Sequence, residues 1–155
     1  MVAKVFKDVS EVINDYTGLS RMVLDYNVIT KEMNAKCKTP EFKDEMWDEH
    51  FAQFFDKPNF LRVGHLKEEF DYPTYLEFQT KWAPHSEWEC SFKRIAEVGN
   101  VVYLELEERA TFNGMTNVVN TISVYEFNET GKVYRLDLYL QQTPASADEI
   151  PDAYK

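Results

Sequence analysis

Val101-Val102-Tyr103-Leu104-Glu105-Leu106-Glu107-Glu108-Arg109-Ala110-Thr111-Phe112-Asn113-Gly114-Met115-Thr116-Asn117-Val118-Val119-Asn120-Thr121-Ile122-Ser123-Val124-Tyr125-Glu126-Phe127 is the stretch that decides the fold. Two runs rich in Val, Leu, Thr and aromatic residues flank one Asn-Gly pair. Asn-Gly supplies the positive φ values that a two-residue type I′ turn requires, so the stretch reads as an antiparallel hairpin with Phe112 facing Met115. Counting back from the turn, Leu104 lies opposite Ser123, Leu106 opposite Thr121 and Glu108 opposite Val119.

Working outward, residues 88–98 and 132–141 read as the flanking strands, with 117–127 between them and turns at Val98-Gly99-Asn100 and Asn128-Glu129-Thr130-Gly131. A four-residue loop at 128–131 pairs Phe127 with Lys132. It places Leu136 beside Ser123, Leu138 beside Thr121 and Leu140 beside Val119. One face then carries Leu104, Leu106, Val119, Thr121, Ser123, Tyr125, Tyr134, Leu136, Leu138 and Leu140, with Glu108 the single charge among them. The other carries Tyr103, Glu105, Glu107, Arg109, Asn120, Ile122, Val124, Arg135, Asp137, Tyr139 and Gln141. A slip of one residue would exchange the two sets, and the segregation of the leucines argues against it.

Upstream the periodicity is helical. Leu19, Met22, Val23, Tyr26, Ile29, Thr30 and Met33 recur at spacings of three and four, a stripe on a helix starting near Thr17 or Ser20. A second helix is expected after Thr39-Pro40, with Phe42, Met46, Trp47, His50, Phe51 and Phe54 inward, ending at Lys57-Pro58. Residues 59–65 read as a short strand, and a third helix opens near Tyr72-Pro73-Thr74 and closes at Trp82-Ala83-Pro84. Residues 1–142 form one domain in this reading, an α+β cone of three helices on a curved antiparallel sheet. Residues 143–155, with Pro144 and Pro151, form an acidic C-terminal extension.

The 155 residues are 44% apolar and 15% aromatic, with 27 acidic against 17 basic side chains for a net charge of −10. Aromatic side chains bury roughly 150–250 Å² each, so 23 of them supply a core without disulfides or metals. The negative charge, with no compensating Lys/Arg cluster, excludes nucleic acid and anionic membranes as partners. Cys37 and Cys90 lack metal-ligand or disulfide spacing and read as reduced thiols of a cytoplasmic protein. The first eight residues contain no apolar leader segment, and no 18-residue apolar run occurs. Nucleotide-binding, zinc-protease and serine-hydrolase motifs are absent, and no metal or cofactor is expected.

Ile122-Ser123-Val124-Tyr125-Glu126-Phe127-Asn128-Glu129-Thr130-Gly131-Lys132-Val133 resembles the penultimate strand, turn and last-strand entry of the NTF2-like superfamily, in its SnoaL-like, ketosteroid-isomerase-like and limonene-epoxide-hydrolase-like branches. Met22-Val23-Leu24-Asp25-Tyr26, residues 54–64 and Gly99-Asn100-Val101-Val102-Tyr103 agree in order and spacing, so the resemblance spans roughly residues 19–141. It implies that the leucine-rich face lines a ligand cavity and that the charged face mediates a homodimer. By the same resemblance Glu108 corresponds to an acidic residue of the epoxide hydrolases. Leu106 and Leu138 stand where that branch has its Arg and its other Asp, which argues against epoxide hydrolysis. Tyr26 and Ser123 fall where the isomerases place two oxyanion donors, while their catalytic base has no counterpart near residues 61–64.

Chemically, Glu108 among leucines would be desolvated and suited to general acid–base work. Tyr26 and Ser123 are donors able to stabilise an oxyanion, and both hydroxyl types equally serve as satisfied core groups. By the resemblance, Arg62 and His65 sit on the short strand where the family's pocket collects polar groups; His65, His50 and His85 are proton-shuttle candidates among which no spacing selects. Trp47, Phe51 and Phe54 read first as core and also as part of the cavity's apolar wall, with Leu104, Leu106, Val119, Thr121, Tyr125, Tyr134, Leu136 and Leu138 beside them. Three functions remain open: a cofactor-independent isomerase, cyclase or dehydratase acting on an apolar small molecule, a non-catalytic ligand-binding domain, and a dimeric protein-interaction module.

Overall fold

The Asn113-Gly114 hairpin forms in the expected register. Both residues have positive φ, 52° and 77°, and pairing runs from Phe112–Met115 through Leu106–Thr121 to Leu104–Ser123. The computed structural model describes residues 6–155; Met1 to Val5, the start of the stretch read for a leader, lie outside the described residues. In chain order the elements are β1 (Lys7–Asp8), α1 (Gly18–Lys36), α2 (Glu45–Phe54), β2 (Leu61–Val63), β3 (Glu69–Asp71), α3 (Tyr72–Trp82), β4 (Ser86–Val98), β5 (Val101–Phe112), β6 (Met115–Phe127) and β7 (Val133–Gln142). The architecture is α+β, with a sheet of order β1-β4-β5-β6-β7-β2-β3.

The sheet is mixed rather than wholly antiparallel. After α2 the chain returns along the sheet, and β2 runs parallel to β7. The two- and three-residue strands β1 and β3 extend its edges.

The β6–β7 pairing differs from the four-residue-loop expectation by two residues. Asn128 Oδ1 accepts from the Thr130 N–H, the Thr130 hydroxyl and the Lys132 N–H, which folds Lys132 into the turn, and Phe127 pairs with Val133 instead. A bulge at Tyr134 adds the second residue, so Tyr125 pairs with Leu136, Ser123 with Leu138 and Thr121 with Leu140. An even displacement preserves sidedness, and the leucines keep the concave face. Tyr134 does not: inside the bulge it turns away from them, and its hydroxyl donates to Glu126.

α1 begins after Thr17 as expected, but its first turn is satisfied from β4. Glu97 Oε1 accepts from the Ser20 N–H (2.7 Å) and hydroxyl (2.9 Å). Its buried stripe is rotated from the expected one. Val23, Leu24, Tyr26 and Asn27 face the sheet, whereas Met22 and Ile29 are exposed. α2 starts at Glu45, because Thr39 turns back to the Lys36 carbonyl with both its N–H (2.9 Å) and its hydroxyl (2.7 Å) and finishes α1. Met46 is accordingly exposed, while Trp47, His50, Phe51 and Phe54 are buried. α3 has the expected bounds, with Asp71 accepting from the Thr74 N–H (3.0 Å) and Pro73 in the first turn.

The core gathers at the α2 end of the concave face. Tyr26 stacks on Phe54 at 4.3 Å between ring centroids, Phe55 meets Phe60 at 4.5 Å, and Val102, Leu104, Phe127 and Val133 seal the sheet beneath them. Residues 143–155 are almost wholly exposed, carrying two single-turn helices, Ala147–Glu149 and Asp152–Tyr154. Among the described residues no helix is long and apolar enough to cross a membrane.

Candidate functional site

Toward the Asn113-Gly114 turn the aromatic filling stops, and α1 and α3 enclose a cavity of about 420 Å³ over the sheet. Leu106, Val119, Leu136, Leu138 and Leu140 form its apolar floor, and Tyr75, Phe78, Trp82 and Trp88 contribute aromatic walls. Of the residues singled out in the sequence, the structure brings Tyr26, Arg62, His65, Glu108, Thr121, Ser123 and Tyr125 onto this one surface. Trp47, Phe51, Phe54 and Leu104 lie instead in the closed core, where α2 presses directly on the sheet. Tyr134 is excluded by its bulge.

Glu108 is partly buried between Cys90 on β4 and Val119 on β6. Its Oε1 accepts a 2.8 Å hydrogen bond from the Trp88 indole N–H, which fixes the carboxyl while Oε2 has no partner among the described residues. Burial, with the Glu108 charge second, pushes the Cys90 thiol up to about 12, so this neighbour stays neutral.

Tyr26 is clamped between the His50 imidazole (5.1 Å between centroids) and Phe54. Burial, then the neighbouring Tyr75 and Tyr125 phenols, raise its hydroxyl well above the ordinary phenol range. Burial likewise raises Tyr125, against a contact from Asn27 Nδ2 at 3.5 Å. Both hydroxyls therefore remain protonated near neutrality and are available as donors. Ser123 is partly buried on the same face of β6, one inward position from Tyr125.

The histidines separate cleanly. His65 is exposed at the cavity's mouth after β2, and His85 is exposed on the turn following α3. His50 lies behind Tyr26. The Thr30 hydroxyl gives its proton to the Tyr26 carbonyl (2.7 Å) and so accepts from His50 Nε2–H at 2.8 Å. Burial lowers the His50 pKa to about 4, leaving it neutral and outside the cavity.

Buried polar groups are nearly always paired, so the exceptions point to function. Among the described residues four buried side-chain atoms lack a partner, and three of them, Asn34 Nδ2, Arg62 Nη1 and Thr121 Oγ1, belong to residues lining this cavity. The fourth is Ser86 Oγ.

Sequence reasoning missed Trp88, Asn27, Asn34, Tyr75 and Gln79 on the wall. Trp88 was hidden by a bulge at Lys93: counting straight back from the Val98–Val101 pair points it outward, and the extra residue turns it onto the concave face opposite Ala110. Asn27 and Asn34 carried no signal, because a buried Asn is recognisable only through its surroundings.

The protein has an NTF2-like fold. A provisionally assigned SnoaL-like polyketide cyclase from Jannaschia sp. CCS1 superposes with a TM-score of 0.59 at 9% identity, over 81% of this chain and 90% of that one. An NTF2-like protein of unknown function from Cytophaga hutchinsonii gives 0.54 at 16% identity, over 81% and 92%. An LEH-like epoxide hydrolase from M. tuberculosis gives 0.54 at 10% identity, over 73% and 84%. No protein-family model and no curated protein sequence matches the chain. At these identities the likeness establishes the fold, and function has to be argued from the cavity.

Proposed function

We propose that the protein is a cofactor-independent enzyme that moves a proton on an apolar small molecule, as an isomerase, cyclase or dehydratase does. The observation that carries this reading is a single oriented carboxyl, Glu108 on Trp88, set in the same leucine-floored cavity as the protonated Tyr26 and Tyr125 hydroxyls. Proton abstraction next to a carbonyl needs a base at the carbon and donors at the oxygen where charge develops. Glu108 Oε2 takes the first role. Tyr26, with Ser123 and Tyr125 near it, takes the second. His65 lies exposed at the mouth on the β2 side, three strands from Glu108, and takes no part in the proton transfer at Glu108.

Exchange of carbon-bound protons by NMR in D₂O tests this, using α-aryl ketones and β,γ-unsaturated cyclic ketones as probes. Wild-type protein should accelerate exchange, and Glu108→Gln should reduce that acceleration about 10²–10⁴-fold, the usual contribution of a general base. Exchange no faster than buffer across the probes, or unchanged in Glu108→Gln, would overturn the reading.

The outer face of the sheet supports a homodimer. Tyr103, Val118, Ile122 and Tyr139 are exposed there among the Arg94–Glu105 and Arg135–Asp137 ion pairs, the mixture of aromatic and polar groups that wet interfaces use. Sedimentation should give a dimer that Ile122→Glu with Tyr139→Glu converts to monomer; a monomeric wild type removes this part of the proposal.

A further inference from the structure

Among the described residues Arg62 is the only Arg or Lys on the cavity wall. It enters from β2, where it pairs with Leu136 of β7, and its side chain is only 11% exposed. Three rings surround the guanidinium: Tyr75 at 5.2 Å, Phe70 at 5.4 Å and Phe78 at 5.9 Å from ring centroid to Cζ. These contacts hold the cation flat and in place, and they accept no hydrogen bonds in the plane of its N–H groups.

No hydrogen bond satisfies those N–H groups among the described residues; Nη1 is sealed, and Nε and Nη2 form the unpartnered edge that a ligand can reach. The nearest carboxylate, Glu68, stands 3.7 Å from Nη1 and spends Oε2 on the Leu66 N–H at 2.9 Å. That is an ion pair without a hydrogen bond. A buried guanidinium whose N–H groups go unmet is costly, and the cost is relieved by a planar acceptor with two oxygens.

We propose that the ligand of this cavity is an apolar molecule bearing a carboxylate, held at one end by Arg62 and reaching along the leucine floor toward Glu108. The inference rests on the cavity being the ligand site proposed above. The registers supply the spacing: straight across from Arg62 lie Leu136, Tyr125 and, on β5, Val102, and Glu108 stands six residues further along β5, so the two groups mark opposite corners of the floor, about 14 Å apart across the strands and about 20 Å along them. A carboxylate on Arg62 therefore leaves room for an apolar body between the anchor and the reacting carbon. Leu138 and Thr121 lie under that body. The overall charge of −10 does not oppose this, because surface charges beyond about 8–10 Å are screened at physiological salt whereas contact with a buried guanidinium is not.

Calorimetric titration of matched pairs tests the proposal without needing turnover: 2-naphthylacetate against 2-naphthylacetamide, 3-phenylpropionate against its amide, and octanoate against octanamide. In each pair that binds, the carboxylate should bind the wild-type protein at least about tenfold more tightly, as a charge-assisted pair of hydrogen bonds predicts. Arg62→Gln should abolish that preference, lowering carboxylate affinity far more than amide affinity. Arg62→Lys, which keeps the charge and loses the fork, should retain part of it. Equal affinity within the pairs, a preference that survives in Arg62→Gln, or no carboxylate binding up to millimolar concentration overturns the proposal. No preference in the wild-type protein with proton exchange intact would overturn this inference alone, and absent exchange with the wild-type preference intact would overturn only the enzymatic reading.

Discussion

The concave face of the sheet has two ends that share one leucine-rich composition and differ completely in how they are covered. At the α2 end, Phe54 meets Phe127 edge-on and Phe55 bridges to Val133, and Trp47, Phe51, Val102 and Leu104 are fully buried in the same cluster. At the turn end the same strands present Leu106, Val119, Leu138 and Leu140 to a cavity of about 420 Å³. The difference lies in the helices. α2 carries four large aromatic side chains in or next to its last two turns and stops at Phe54. Beyond its reach the roof is α1 and α3, which contribute Asn27, Thr30, Asn34 and Gln79 beside the aromatic wall. A cavity arises here because the covering residues change character while the floor does not.

That contrast is broken most easily at its closed end. Phe51→Ala should cost about 3–5 kcal/mol, the range for a fully buried aromatic, read as a shift in the denaturation midpoint without a change of slope. A loss below about 1 kcal/mol would mean that the α2 end is not closed.

His50 sharpens the same contrast through pH. Its folded pKa of about 4 lies below the ordinary 6.5, so between those values the unfolded chain binds the extra proton. Stability should fall as pH drops from 6.5 toward 4, by about 2–3 kcal/mol at about 1.4 kcal/mol per pKa unit. Denaturation at a series of pH values checks this, and in His50→Gln the decline over that window should be shallower by that amount.

At the open end the expected effects are on rate rather than stability. Trp88→Phe keeps the aromatic wall and removes the donor to Glu108. It should lower kcat/KM for proton exchange about tenfold with the melting temperature nearly unchanged; a stability loss with unaltered rate would make Trp88 structural. Smallest of all, Leu138→Ala removes a side chain that already borders open space, and should cost under about 1.5 kcal/mol, well short of the usual loss for a closed core position. It should also admit bulkier probes, measured by titration.

How much of this was legible in the sequence divides along the same line. Asn113-Gly114 is a local signal with one geometry, and it set the β5–β6 register and the sidedness of every leucine on those strands. The four-residue reading of the next turn was off because Asn128 gathers Thr130 and Lys132 through its own side chain, a competition that turn composition does not display. β1 and β3 are too short to show alternation. In the cavity, Glu108 and Tyr26 were visible as polar exceptions in apolar surroundings, and Arg62 through the resemblance of its strand. Trp88 was not, because a one-residue bulge reverses its direction. Nor was the line between core wall and cavity wall, since it depends on where α2 ends rather than on which face a residue occupies.

The bulge at Tyr134 behaves as the second of two compensating insertions. The longer turn at 128–132 throws β7 one position out of phase, and the bulge throws it one further, restoring the original phase three residues later. Seen as a ledger of insertions and deletions, the hairpin tolerates changes only in pairs. Removing Tyr134 alone would send Leu136, Leu138 and Leu140 to the outer surface and bring Arg135, Asp137 and Tyr139 into the cavity. Shortening the turn at the same time would leave the floor intact. Related chains that differ in this turn should therefore differ in this bulge as well, and variation of one without the other would mark a molecule whose cavity has turned inside out.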